Sequence, residues 1–225
     1  MSTYEELSSK LKSILALKGS PVAVKLVRTK EEVPAGMPEL GEKVRHCEMV
    51  QKARAGEVFY APKEKHACAG GASALGIMDT PANIKSGDFY FSLGRFSTKN
   101  AAKRTVDEVP RLDEQHFATV YAPLEKATFQ PDVVVIIGNP KQLLRIAQAN
   151  IYGCGGRNFI DFSGIQSVCS DAVAEPILTG EICASFGCNG SRKNAKIEDD
   201  ELIAGIPVEK LEATVAALEK VAVAK

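Results

Sequence analysis

Apolar residues recur along the chain at two spacings, and the switch between them marks its elements. Tyr4, Leu7, Leu11, Ile14 and Leu15 repeat at three and four, which predicts an amphipathic helix stopped by Gly19. Pro21 leads into Val22-Ala23-Val24-Lys25-Leu26-Val27, a short strand. Residues 31–43 hold Pro34, Gly36, Pro38 and Gly41 and read as a loop. A helix over 44–55 ends at Gly56, and a strand over 57–60 runs into a turn at Pro62. The aromatic-rich stretch 88–96 predicts a strand, and Thr98 caps a polar helix extending to Pro110. Residues 117–124 form another strand.

Pro131-Asp132 then introduces Val133-Val134-Val135-Ile136-Ile137, an uninterrupted aliphatic strand. Such a run has both faces covered, so helices are expected on both sides of the sheet that contains it. After Gly138-Asn139-Pro140 a helix places Leu143, Leu144, Ile146 and Ala147 on one face and stops near Gly153. Residues 170–178 predict a shorter helix, broken by Pro176 and closed by Gly180. Val208, Leu211, Val215, Leu218, Val221 and Ala222 make the apolar stripe of a last helix.

Helices alternate with strands, so the class is α/β or α+β, a mixed sheet with helices packed on it. No low-complexity linker divides the chain, and residues 1–225 read as one domain. Within it, 20–96 and 130–207 carry similar strings. The first has Pro21-Val22-Ala23-Val24, Cys47, Gly56-Glu57 and Cys68-Ala69-Gly70. The second has Pro131-Asp132-Val133-Val134-Val135, Cys169, Gly180-Glu181 and Cys188-Asn189-Gly190. The cysteines of each pair are 21 and 19 residues apart, which is the basis for expecting two pseudo-equivalent halves.

Charge narrows the function classes. The 28 Lys and Arg cancel the 28 Asp and Glu, which argues against a polyanion binder such as a nucleic-acid protein. Zero net charge also weakens self-repulsion and leaves a homo-oligomer open. The first 18 residues lack the basic and apolar regions of a signal peptide, and no aliphatic run approaches a membrane span. A cytoplasmic protein is therefore expected, in which cysteines serve as free thiols, catalytic groups or metal ligands.

Six cysteines are few for a disulfide scaffold of this length. The four paired ones, Cys47, Cys68, Cys169 and Cys188, are the candidate metal ligands, because thiolates select zinc, copper(I) or iron–sulfur clusters. Gly70, Gly71 and Gly190 stand beside them and would let backbone amides approach a bound cluster, and Arg192 follows closely. No Cys-x-x-Cys pair is present, and buried free thiols are the competing reading. Cys183, in the apolar run Ile182-Cys183-Ala184, reads as core; Cys154, between glycines, is the alternate ligand.

His46 and His66 lie next to or near cysteines and read as surface groups or as support behind the ligands rather than as a Cys–His dyad. His116 is expected to be exposed. Arg95, Arg157 and Arg192, each near a glycine, are candidates to grip a carboxylate or phosphate. Glu198-Asp199-Asp200-Glu201 reads as a solvated acidic turn.

Taken in order, these strings resemble a prokaryotic family, the domain of unknown function numbered 169, common in methanogenic archaea and anaerobic bacteria. The matching strings are Pro21-Val22-Ala23-Val24-Lys25-Leu26, Cys47 with Ala53 and Gly56, and Cys68-Ala69-Gly70-Gly71 through Leu75-Gly76. They continue with Gly187-Cys188-Asn189-Gly190-Ser191-Arg192, Asp199-Asp200-Glu201-Leu202 and Gly205-Ile206-Pro207. The resemblance implies cysteines at 47, 68, 169 and 188 suited to anaerobic iron–sulfur chemistry. The expectation is a 4Fe–4S protein with a redox, electron-transfer or sensing task, working with a redox partner protein or a small-molecule ligand. Two alternatives stand beside it: a metal-free binder or enzyme for an anionic ligand, and a structural zinc site.

Overall fold

A computed structural model of the chain describes residues 2–221. Helix α1 (Tyr4–Leu15) opens it, and the Thr3 hydroxyl accepts from the Glu6 amide while the Glu6 carboxylate accepts from the Thr3 amide. Six strands follow in one sheet: β1 (Val22–Val27), β2 (Phe59–Pro62), β3 (Ala118–Pro123), β4 (Val133–Gly138), β5 (Cys183–Ser185) and β6 (Leu202–Pro207). Their order is β2-β3-β1-β4-β6-β5, and every pairing is antiparallel. The fold is therefore α+β, with an antiparallel sheet in place of the expected mixed one. From the central β1–β4 pair, β3 then β2 lie outward on one side, and β6 then β5 on the other.

The aliphatic run of β4 has two destinations, as expected. Val133, Val135 and Ile137 point into a core with α2 (His46–Arg54), α3 (Ala69–Ala74) and a π-helical segment, Ser167–Ala174, that continues into α8 (Glu175–Thr179). Val134 and Ile136 point into the opposite core, with α1, α7 (Pro140–Asn150) and α10 (Val208–Leu218). In α7, Leu143 and Ile146 are buried but Leu144 is exposed. Val221 packs at the edge of that core, and Ala222 lies outside the described residues.

The stretch 88–96 is not a strand. Short helices α4 (Ala82–Lys85) and α5 (Asp88–Ser92) precede α6 (Lys99–Glu108), capped by Thr98 as expected. Gly87, at φ +80°, sets the turn into α5. Tyr90 is buried with Ile84, Ala102, Val106 and Ile165, so helical packing overrides the aromatic strand preference. Pro176 does not break its helix either; it sits just after the point where the π-helical segment passes into α8, and the backbone stays helical to Thr179.

Two features of this frame are testable. Gly205 lies mid-sheet, paired with Val135 and Cys183, and a Cβ there would fall 2.1 Å from the Ala172 carbonyl oxygen and 2.8 Å from Pro176 Cγ. The π-helical segment is thus seated directly on the β6 backbone. Gly205→Ala is expected to destabilise the protein by about 1–3 kcal/mol in chemical denaturation; unchanged stability would refute that seating.

Glu125, in the turn after β3, accepts from Ser20 Oγ (2.6 Å), Ser8 Oγ (2.7 Å) and Lys12 Nζ (3.2 Å). Burial alone would raise its carboxyl, but these bonds outweigh it and hold the group down from 4.5 to about 2. Because the folded value lies below the unfolded one, the stabilisation is complete above about pH 4.5 and is lost as the pH falls towards 2. Glu125→Gln should cost about 1–2 kcal/mol at neutral pH, discounted for partial solvent access, and flatten the acid limb of the stability profile. An unaltered acid limb would refute the assignment.

Candidate cysteine-lined site

The face of the sheet that carries α2 and α3 also carries α9 (Asn189–Ala195). Four cysteines come from the helix starts on this face. Cys47 lies in the first turn of α2, and Cys68 is the residue capping α3. Cys188 caps α9, its Sγ accepting from the Ser191 amide at 3.4 Å while the Ser191 hydroxyl accepts from the Cys188 amide at 2.9 Å. Cys169 is in the π-helical segment, a wound form often found at functional sites.

All four line one cavity of about 430 Å³. All six cysteines of the chain are free thiols, and the other two lie elsewhere: Cys154 is exposed, and Cys183 is buried on β5. Burial pushes the Cys47 thiol up to about 12, with Cys188 and Cys68 adding to it. Cys169 is pushed up by burial and then by Cys68, Cys188 and Cys47. Charge on the neighbouring sulfurs thus adds to the burial cost of ionising Cys47 and Cys169.

Two glycines sit against these sulfurs. A Cβ on Gly71 would be 3.5 Å from Cys169 Sγ, and one on Gly190 would be 3.5 Å from Cys188 Sγ. Both lie in helices with no positive φ, where glycine costs about 1 kcal/mol relative to alanine. The backbone does not require glycine there; the space beside the sulfurs is what its absent side chain leaves. Gly70 is next to the cavity rather than in its wall, facing the Tyr90 hydroxyl and Gln166. Arg192 is outside the wall too. Its guanidinium holds the carbonyls of Phe186, Ile197, Glu198 and Glu201, fixing the turn between α9 and β6.

The rest of the wall had little sequence signal. His46 is buried and hydrogen-bonded through Nδ1 to the Tyr121 hydroxyl at 2.7 Å. Burial, with His66 nearby, lowers it to about 3, so it is a neutral imidazole. His66 is also buried, next to Thr119, and neither histidine is at the surface. His116 is half-buried, bonded to the Leu75 carbonyl. Phe89, Tyr90, Leu93 and Ile165 make an apolar side beside the Gln166 amide, and Arg45, Arg95 and Lys193 stand in the wall as cations. Arg157 lies in an exposed loop away from it. A larger cleft of about 650 Å³, around Arg28, Glu32, Glu114 and Asp132, contains no cysteine, and Arg28 already pairs with Glu114.

Among the described residues, no three His, Cys, Asp or Glu side chains converge on the position of a single metal ion. Zinc, with Zn–S bonds of about 2.3 Å, draws its sulfurs together, whereas a four-iron cubane holds them apart around its own volume. Four cysteines around one cavity are a donor set of the soft kind that a cluster takes, and space is left beside two of the sulfurs.

A family model described as uncharacterised ArCR, the domain of unknown function 169, matches residues 10–217. The chain belongs to this family. It is also 46% identical to the uncharacterised protein MJ0308 of Methanocaldococcus jannaschii, over 95% of this chain and 93% of that protein. No solved structure matches the chain. In this member of the domain of unknown function 169, no helix among the described residues is long and apolar enough to cross a membrane.

Proposed function

We propose that the chain binds one 4Fe–4S cluster through Cys47, Cys68, Cys169 and Cys188. Its task in the cytoplasm would be electron transfer, redox catalysis or sensing in anaerobic metabolism. The observation that carries this reading is that these four cysteines, and neither of the other two, line a single cavity. Support also comes from the glycines beside Cys169 and Cys188. When bound, the cluster supplies a one-electron carrier whose potential follows its charge, hydrogen bonds and solvent exposure.

The chain's own residues supply the rest. Sheet and helices hold the four sulfurs, the Tyr121 hydroxyl fixes the His46 ring, and Tyr90, Ile165 and Val168 limit water. The cysteines come in like pairs, Cys47 with Cys169 and Cys68 with Cys188, on elements related by the outward strand order on either side of β1 and β4. That supports reading the site as the junction of two quasi-equivalent halves.

Anaerobic purification followed by iron and acid-labile sulfide assay tests the proposal. About four of each per chain, with a broad visible absorption band, is the expected result. A colourless protein without iron after reconstitution would overturn it. Tightly held zinc without visible absorption would do the same and favour a structural zinc site.

A further inference from the structure

We propose that the outer part of the cysteine cavity binds a small organic acid through its carboxylate. The proposal deepens the cluster reading, and rests on it for what fills the inner end.

Three independent features of the wall point to this ligand class. The first is charge. The chain as a whole is neutral, yet the cavity wall has Arg45, Arg95 and Lys193 and no Asp or Glu. Arg45 is partly engaged by Glu48 at 3.0 Å, whereas Arg95 and Lys193 have no ion-pair partner among the described residues. A cluster with four thiolates is itself a net anion, so part of this charge offsets the cluster. The exposed Arg95 and Lys193 remain available to a second anion at the mouth.

The second feature is unmet hydrogen bonding. Gln166 Oε1 is buried without a partner, in a residue only 5% exposed that stands in the wall. Gln166 is also one of the few non-glycine residues at positive φ, +53°, a strained backbone of the sort kept at binding sites. Its Nε2 stands 3.0 Å from the Tyr90 hydroxyl, which can donate or accept. The amide can therefore turn its NH₂ towards a carboxylate while Tyr90 donates to its oxygen. A buried amide oxygen without a partner, in the wall of a cavity, is a group that a ligand can satisfy.

The third feature is shape. Phe89, Leu93 and Ile165 give the cavity an apolar flank against which a carbon body can rest. Inorganic phosphate has no carbon body to place against that flank. A docked acidic protein would not reach a polar atom this deeply buried.

Isothermal calorimetry on the anaerobically purified full chain tests this, with succinate, benzoate and inorganic phosphate as probes and succinamide as the neutral control. Succinate or benzoate should bind with a millimolar or lower Kd, and succinamide should not. Arg95→Gln and Lys193→Gln should each weaken binding about five- to tenfold. Neither acid binding, phosphate alone binding, or equal affinity in both variants would overturn the proposal. Iron and sulfide content, read on the same sample, keeps the two readings apart. An iron-loaded protein that ignores both acids overturns the organic-acid site alone. An iron-free protein that binds them overturns the cluster and leaves this site standing.

Discussion

Cys169→Ser, purified without oxygen, is expected to contain little or no iron and to unfold several kcal/mol more easily than the parent protein. Serine keeps the volume and the donor of Cys169, whose Sγ bonds the Gln166 carbonyl at 3.2 Å, so packing in the metal-free chain is preserved. What it removes is a soft ligand, and because metal binding is coupled to folding, a lost ligand appears as lost stability. Cys183→Ser and Cys154→Ser are the controls. Cys183 is buried but away from the cavity, with its Sγ against the Glu181 carbonyl, and Cys154 is exposed in a glycine-rich loop. Both variants should retain iron, sulfide and colour. Iron assay, visible spectra and chemical denaturation on all three decide the matter. Retained colour in Cys169→Ser, or its loss in Cys154→Ser, would remove this ligand set.

The same contrast shows what a sequence can carry. The assignment of four cysteines as a group came from spacing alone, since a repeated pattern of Cys and Gly survives without any knowledge of folding. The strand Val133–Gly138 and the helices that begin at Tyr4, Pro140 and Val208 were legible for a similar reason: their apolar periods are long and uninterrupted. Strands β5 and β6 were not. Cys183–Ser185 is three residues long, and Leu202–Pro207 contains a glycine and ends in a proline. Their pairing with each other and with β4 makes them strands. Asp88–Ser92 failed in the opposite direction, since its aromatic residues pack against neighbouring short helices rather than across a sheet. The polar wall of the cavity was out of reach as well. Gln166, Ser167 and Tyr90 meet there only through long-range packing, and no local pattern marks a glutamine whose partner is 76 residues away.

Glu201→Ala is expected to destabilise the protein by about 3–5 kcal/mol. The residue belongs to an acidic run that reads as solvated, yet it is 3% exposed and pairs at 2.6 Å with Arg54, itself 12% exposed. Its other oxygen accepts from the Glu198 amide at 3.1 Å. Burial opposes the charge of Glu201, and the Arg54 and Glu198 bonds overcome it, leaving its carboxyl lowered. Alanine would leave the Arg54 guanidinium without its carboxylate in a nearly closed site and the Glu198 amide without its acceptor. That cost arises from breaking the pair rather than from any large net gain in making it. Arg54→Met combined with Glu201→Leu should therefore recover much of the loss, while Glu201→Gln should fall between. Urea denaturation of the four proteins measures this, and a Glu201→Ala cost below about 1 kcal/mol would show the pair to be effectively solvent-screened. The consequence reaches the site. Arg54 ends the helix whose first turn holds Cys47, Glu201 follows the helix capped by Cys188, and Gln51 Nε2 also bonds the Ala195 carbonyl at 3.0 Å. The ion pair thus ties the end of α2 to the segment between α9 and β6, and the start of each of those two helices holds one of the four sulfurs. Loosening it should lower iron retention even though the pair touches no cysteine.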